Sequence, residues 1–362
     1  MADSSTQAQQ TAQVLQEELE KNAKRFQAVV DGFVVDASDP AIGSTPKDVV
    51  WKRGKSQLFR YHPQTAKIHP VPYLIVPWLG ISRTHVLDLL PGNSYIESLL
   101  KQGYDVYLLD WGEIAEEDKN LGFEDAVFKI LPRIIDRALE ISQAQELTLN
   151  GICVGGTIAA AYLALEPHAP VRNFVAMVAP IDFDEGGMFK SCLDERYFPV
   201  DMIVDRFGGI PASLMAAGFK MLRPTGDIQA KSSLWLNLER PGAITSFKAM
   251  NRWASNYIAM PGRFFSQLTK DLYFNNRMIK GQFKLGGRKV DLSQISCPIL
   301  VIAARQDFIV PPLAAKGLMD AVSSEDKEYV ELPGGHISVF SGRQAHRTLW
   351  PKIDEWVSAR AE

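Results

Sequence analysis

Residues 146–166 read Glu-Leu-Thr-Leu-Asn-Gly-Ile-Cys-Val-Gly-Gly-Thr-Ile-Ala-Ala-Ala-Tyr-Leu-Ala-Leu-Glu. The order is a short apolar strand, a glycine-flanked turn and an alanine-rich helix, with Cys153 at the tip of the turn. A reactive side chain carried there sits in strained backbone space. Its neighbours two before and two after must be very small, or their Cβ atoms would collide across the turn. Gly151 and Gly155 meet that need, and Gly156 lets the helix start close to the strand. The positive end of the helix dipole falls near the Cys153 sulfur, which favours a thiolate. This is the pattern of a nucleophile elbow with cysteine in the place of serine. Taken alone, G-x-C-x-G also fits a buried structural cysteine.

What decides between the two lies downstream. A thiol titrates near 8.5 and needs a base or a favourable dipole to be largely ionised at neutral pH. His336 sits in the loop Pro333-Gly-Gly-His, just past the last strand-like run, Tyr329-Val-Glu-Leu. Asp307 follows the apolar run Cys297-Pro-Ile-Leu-Val-Ile-Ala-Ala. An aspartate accepting from one imidazole nitrogen fixes the tautomer and leaves the other nitrogen to take the thiol proton. Nucleophile, acid and histidine, in that chain order, are the order of the α/β-hydrolase fold. In this fold one oxyanion N–H comes from the residue after the nucleophile and one from the loop after an earlier strand. Val154 and Leu79 (or Trp78) occupy those places.

Read in order, the rest of the chain fits that fold. Val49 to Trp51, Ser56 to Tyr61, Pro72 to Pro77, Gly103 to Trp111 and Val171 to Val178 are strand-like, with helical spacing at Asn93 to Gln102 and Phe123 to Ser142. Pro132 is expected to kink the second helix or delay its start. Strands alternating with helices imply a doubly wound, mostly parallel sheet. Residues 45–183 and 289–362 make this core. Residues 184–288 break the alternation with helical spacing rich in Met, Phe and Trp, as a cap over an active site would; an ordinary second subdomain is the plainer reading. Residues 1–44 form a polar segment with Leu15, Leu19, Phe26, Val30 and Phe33 on one helix face. That face packs on its own domain or receives a partner.

The totals exclude several classes. A chain of 362 residues, 46% hydrophobic, can bury a large core, and a net charge of −3 offers no bulk attraction to nucleic acid or an anionic membrane. Cys153, Cys192 and Cys297 are widely spaced, so neither a disulfide framework nor a zinc site is indicated, and Cys192 and Cys297 read as packing residues. No P-loop, metal-ligand cluster or dinucleotide fingerprint occurs, and no run of about eighteen apolar residues. A cytoplasmic protein without metal or resident cofactor is expected. Of the remaining histidines, His85 is near the oxyanion loop; His62, His69, His168 and His346 read as turn or surface residues.

Beyond the triad the chain carries Thr45-Pro-Lys, Asp88-Leu, Val106 to Trp111, Gly151-Ile-Cys-Val-Gly-Gly, Ala179-Pro-Ile-Asp-Phe, Lys270-Asp-Leu-Tyr-Phe-Asn-Asn, Arg305-Gln-Asp, Val310-Pro-Pro and Gly334-Gly-His-Ile, among others. In these residues, from about Thr45 onward, it resembles the short polyhydroxyalkanoate synthases, the class III or IV catalytic subunits. The resemblance implies polymerisation of (R)-3-hydroxyacyl-CoA, such as 3-hydroxybutyryl-CoA, into polyester with release of CoA. Cys153 would carry the chain, His336 would be its base, and Asp307 would support it and activate the substrate hydroxyl. It also implies a second, non-homologous PhaE- or PhaR-like subunit, a homodimer through core or cap, and action at polymer granules. Two positions depart from the pattern: Val154 stands where glutamine is usual, and Phe308 where histidine is usual. The same triad also serves an intracellular acyl-CoA thioesterase, and a catalytically silent granule scaffold is a third reading. Retention of all three triad residues argues against the last.

Overall fold

Strands that are apolar at every position need cover on both faces, which only a central place in a layered sheet supplies. The computed structural model, which describes residues 2–66 and 68–361, bears this out. Its main sheet has eight strands: β1 (Lys47–Arg53), β2 (Ser56–Tyr61), β3 (Tyr73–Val76), β4 (Val106–Asp110), β5 (Leu147–Ile152), β6 (Val171–Met177), β7 (Ile299–Ala304) and β8 (Lys327–Leu332). They lie in the order β1-β2-β4-β3-β5-β6-β7-β8. Only β2 pairs antiparallel with both neighbours; every pairing from β4 to β8 is parallel. β3, β5 and β7 are buried along their whole length. β1, at the edge, has no fully buried position.

The helices are α1 (Ala2–Val30), α2 (Tyr95–Lys101), α3 (Leu131–Ser142), α4 (Val154–Leu165), α5 (Val200–Phe207), α6 (Ala212–Leu222), α7 (Gly226–Asn237), α8 (Ala243–Ala254), α9 (Pro312–Ala321) and α10 (Trp350–Ser358). α4, behind the elbow, is buried at all twelve positions, which its alanines and glycines permit. Pro132 does not delay its helix, whose turns run without a break from Phe123 to Ser142. A π-helical turn over Ala126–Ile130 comes just before the proline, and α3 is the α-helical continuation of the same run.

Between β6 and β7 the chain leaves the sheet for α5 to α8. One short antiparallel pairing ties this excursion to the core, Tyr257–Ile258 with Ile81–Ser82, and a second, Met260–Pro261 with Gly209–Ile210, joins two parts of the excursion itself. Its last part joins the core. Phe264 stacks on Phe123 at 4.5 Å, and Leu272 and Phe283 are fully buried.

The apolar stripe of α1 does not lie on its own domain. Leu15, Leu19 and Phe26 are each about three-fifths exposed or more. Contacts begin only at the helix end, where Arg25 pairs with Glu239 at 3.3 Å and Phe33 meets Phe247 edge-on at 6.2 Å. Lys248 then caps the carbonyls of Asp36 and Ser38.

Candidate active site

The parallel strands deliver their C-terminal ends to one edge, and the loops there carry the reactive groups. Cys153 follows β5 directly, with φ 53° and ψ −132°, a conformation rare for a residue bearing a Cβ. The glycines explain how it is tolerated. A Cβ on Gly155 would strike the carbonyl oxygens of Val76 and Pro77; one on Gly151 would meet Gly156 Cα at 2.5 Å. A Cβ on Gly156 would run into Ala179. Thr157, one turn into α4, donates to the Pro180 carbonyl at 2.6 Å and ties the helix start to the loop after β6.

Asp307 and His336 meet beyond β7 and β8. His336 Nδ1 donates to Asp307 Oδ2 at 2.6 Å. The other carboxylate oxygen accepts the backbone N–H groups of Ile309 at 2.8 Å and Val310 at 2.9 Å. Asp307 is therefore oriented entirely by its own loop and by His336, so the histidine usual at 308 is not needed for that purpose. Phe308 instead packs beneath the Arg223 guanidinium, 5.9 Å from its ring centre, which links this loop to the end of α6.

His336 is buried, and burial alone would push its imidazole below the ordinary range. The charges of Asp307 and Cys153, with hydrogen bonds to both, outweigh that and raise it to about 10. The direction favours imidazolium at neutral pH. Because the folded value lies above the unfolded one of about 6.5, this contribution to stability is complete below that pH and is lost as pH rises through about 10. Tyr273, also buried near Cys153 and Asp307, is pushed up first by burial and then by their charges, and stays a phenol.

Cys153 opens on two cavities. A smaller one, about 160 Å³, lies on the His336 side against Trp78, Trp253 and Tyr257. A larger one, about 400 Å³, runs under the excursion against Val154, Phe189, Met215, Phe265 and Tyr273. Ile81, Phe219 and Ile309 line both and stand at their junction with the cysteine. Ile81 holds φ 72°, a strained value for a β-branched residue. Composition shows nothing of this, because an isoleucine gives no sign of a left-handed backbone.

The N–H groups of Val154 and Leu79 take no carbonyl acceptor among the described residues. Trp78 faces the smaller cavity, whereas the Leu79 side chain is fully buried. His85 lines neither cavity and packs against Gly43. Cys297 is half-buried, its thiol pushed up to about 12 by burial. Cys192 departs from its expected packing role. It ends a short helix at the rim of the larger cavity, exposed on one side and lining the cavity on the other. Among the described residues no group of three or more His, Cys, Asp or Glu is placed to hold a metal ion, and no helix is long and apolar enough to cross a membrane.

The similarities to known proteins match this geometry. The family described as "alpha/beta hydrolase fold" matches residues 90–342, and the "Poly-beta-hydroxybutyrate polymerase (PhaC) N-terminus" matches residues 7–99. The poly(3-hydroxyalkanoate) polymerase subunit PhaC of Allochromatium vinosum is 35% identical over 348 residues, covering 95% of this chain and 97% of that one. The subunit of the same name from Haloferax mediterranei is 36% identical over 327 residues, covering 90% of this chain and 66% of that one. A monoacylglycerol lipase from Paleococcus ferrophilus, at 20% identity, superposes with a TM-score of 0.52 over 84% of this chain and 99% of its own, and shares the fold alone. With relatives this similar over nearly its whole length, the chain belongs to the poly(3-hydroxyalkanoate) polymerases, acyltransferases built on the α/β-hydrolase fold.

Proposed function

We propose that this chain polymerises (R)-3-hydroxyacyl-CoA, with 3-hydroxybutyryl-CoA as the simplest substrate, through a thioester on Cys153. The sulfur attacks the thioester carbonyl, and the backbone N–H groups of Val154 and Leu79 receive the developing oxyanion. The carbon–sulfur bond to CoA breaks, and the departing thiolate takes the proton held on His336. His336, kept in one tautomer by Asp307, then accepts the hydroxyl proton of an incoming 3-hydroxyacyl-CoA as that oxygen attacks the bound acyl group; the acyl–sulfur bond breaks, the Cys153 thiolate leaves, and the lengthened CoA ester acylates it again.

The observation that carries this reading is the pair of apolar cavities meeting at Cys153. A thioesterase needs one acyl pocket and access for water. A polymerase must hold a growing chain and an incoming unit against the same sulfur while keeping water out. Val154 suits the second case, since it lines the larger cavity with a side chain that holds no water.

The exposed stripe of α1 and the exposed Met202, Phe207 and Met221 of the excursion are the surfaces we assign to a second, non-homologous subunit and to the polymer granule. A second copy of this chain would use the core or the same excursion. The excursion must open to admit CoA and release polyester, so a partner that binds the open state raises the active population. One assay tests these points together. Purified chain incubated with (R)-3-hydroxybutyryl-CoA is expected to release CoA and form insoluble polymer after a long lag, which the partner subunit shortens. CoA without polymer would mean a thioesterase; lag-free polymerisation by the chain alone would refute dependence on a partner.

A further inference from the structure

The smaller cavity at Cys153 and a cleft on the surface lie along one helix. One wall of the cavity is the C-terminal end of α8, through Trp253 and Ala254, and the other is the loop bearing His336 and Ile337. A surface cleft of about 760 Å³ lies farther along α8: Ser246, Phe247 and Met250 of that helix line one side, and Gly342, Arg343, His346 and Arg347, which follow the His336 loop in the chain, line the other. Ser246 and Trp253 are roughly 10 Å apart along the helix axis.

The cleft is built for negative charge. Arg240, Arg343 and Arg347 line it with His346, and no Asp or Glu does. None of the three arginines forms an ion pair among the described residues, in a chain whose net charge is −3. The acids nearest at hand are Glu97, whose charge reaches His346, and Glu239, which is engaged by Arg25. His346 is held against Trp350 at 4.0 Å, and burial lowers its imidazole, so at neutral pH the charge comes from the arginines. The Gly342 N–H donates to Asn93 Oδ1 at 3.0 Å, which pins the start of the helical turns that carry two of them. Unpaired guanidinium groups on a concave surface recognise phosphate by forked, charge-assisted hydrogen bonds.

We propose that this cleft binds the phosphoadenosine and diphosphate end of the acyl-CoA. The pantetheine arm would run between α8 and the His336 loop to present its thioester to Cys153. An extended chain of that bond count reaches about 15 Å, enough to pass from the cleft into the smaller cavity. The larger cavity is then left to the polyester. The inference rests on the acyl-CoA reading above and assigns its polyanionic end to residues that touch no reacting atom.

The test begins with binding, which needs no turnover. Adenosine 3′,5′-bisphosphate titrated into the full chain by calorimetry is expected to bind, more weakly as salt rises. The double variant Arg343→Glu/Arg347→Glu should weaken it tenfold or more. Arg343→Ala/Arg347→Ala should weaken it by less, and circular dichroism should show both variants folded. With the CoA thioester the charge-reversed variant should raise KM at least tenfold over wild type; with an N-acetylcysteamine thioester, which lacks phosphate, the ratio should be near one. Undiminished binding by the charge-reversed variant, no binding by the wild type, or an equal rise in KM for both thioesters would each overturn the cleft assignment. A wild type that binds through these arginines yet makes no polymer would instead overturn the polymerase reading and leave the cleft in place.

Discussion

Cys153→Ser is expected to release CoA from (R)-3-hydroxybutyryl-CoA at least about a thousandfold more slowly than wild type, while folding normally. The two effects have separate causes. The hydroxyl nearly fills the place of the sulfur but is a far weaker acid. An imidazolium raised to about 10 by negative neighbours therefore loses one of them, and the nucleophile is never held ionised. The fold does not depend on the sulfur. It depends on Gly151, Gly155 and Gly156, whose missing Cβ atoms let β5 turn into α4 beside Val76 and Ala179. The midpoint of unfolding should move by less than about 1 kcal/mol in free energy. Near wild-type release of CoA by this variant would remove Cys153 from the mechanism.

His336→Gln should be nearly as damaging, with turnover down by roughly a hundred- to ten-thousandfold as expected for loss of a general base. Its more telling effect is on the thiol. In wild type, alkylation of Cys153 by iodoacetamide should already be fast at neutral pH, because the histidine provides a positive partner for the sulfur. In the variant the profile should follow an unassisted thiol with a midpoint near 8.5, on the order of thirtyfold slower at pH 7. An unchanged pH profile would show that His336 does not act on the sulfur. The same variant removes the stabilising pair, so its stability should no longer decline as pH rises from about 6.5 through about 10.

The parts of this site that were legible in the sequence are those with a local cause. The glycines around Cys153 announce the elbow because only they fit its turn. The fully apolar runs of β3 and β7 announce parallel strands because both their faces are covered. Asp307 and His336 stand out because each follows a strand-like run by a few residues. What escaped reading depends on contacts between distant segments. The loop cradle of Asp307, through the Ile309 and Val310 N–H groups, explains how Phe308 is tolerated. No pattern shows that Ile81 adopts a left-handed backbone at the junction of two cavities. Helical spacing marked Leu15, Leu19 and Phe26 as one face of α1 but not whether anything covers them; in this chain nothing among the described residues does. Cys192 looked like packing because a cysteine usually is, and its place on a cavity rim follows from where a short helix ends.

The central claim is that the acyl chain rides on Cys153. Mass spectrometry of proteolysed wild-type enzyme, quenched in acid soon after addition of (R)-3-hydroxybutyryl-CoA, tests it most directly. The peptide containing Cys153 should carry one or more hydroxybutyryl units in an adduct that hydroxylamine removes, and the corresponding peptide of Cys153→Ser should carry none. CoA release without any adduct on that peptide, or an adduct on Cys192 in its place, would contradict the account.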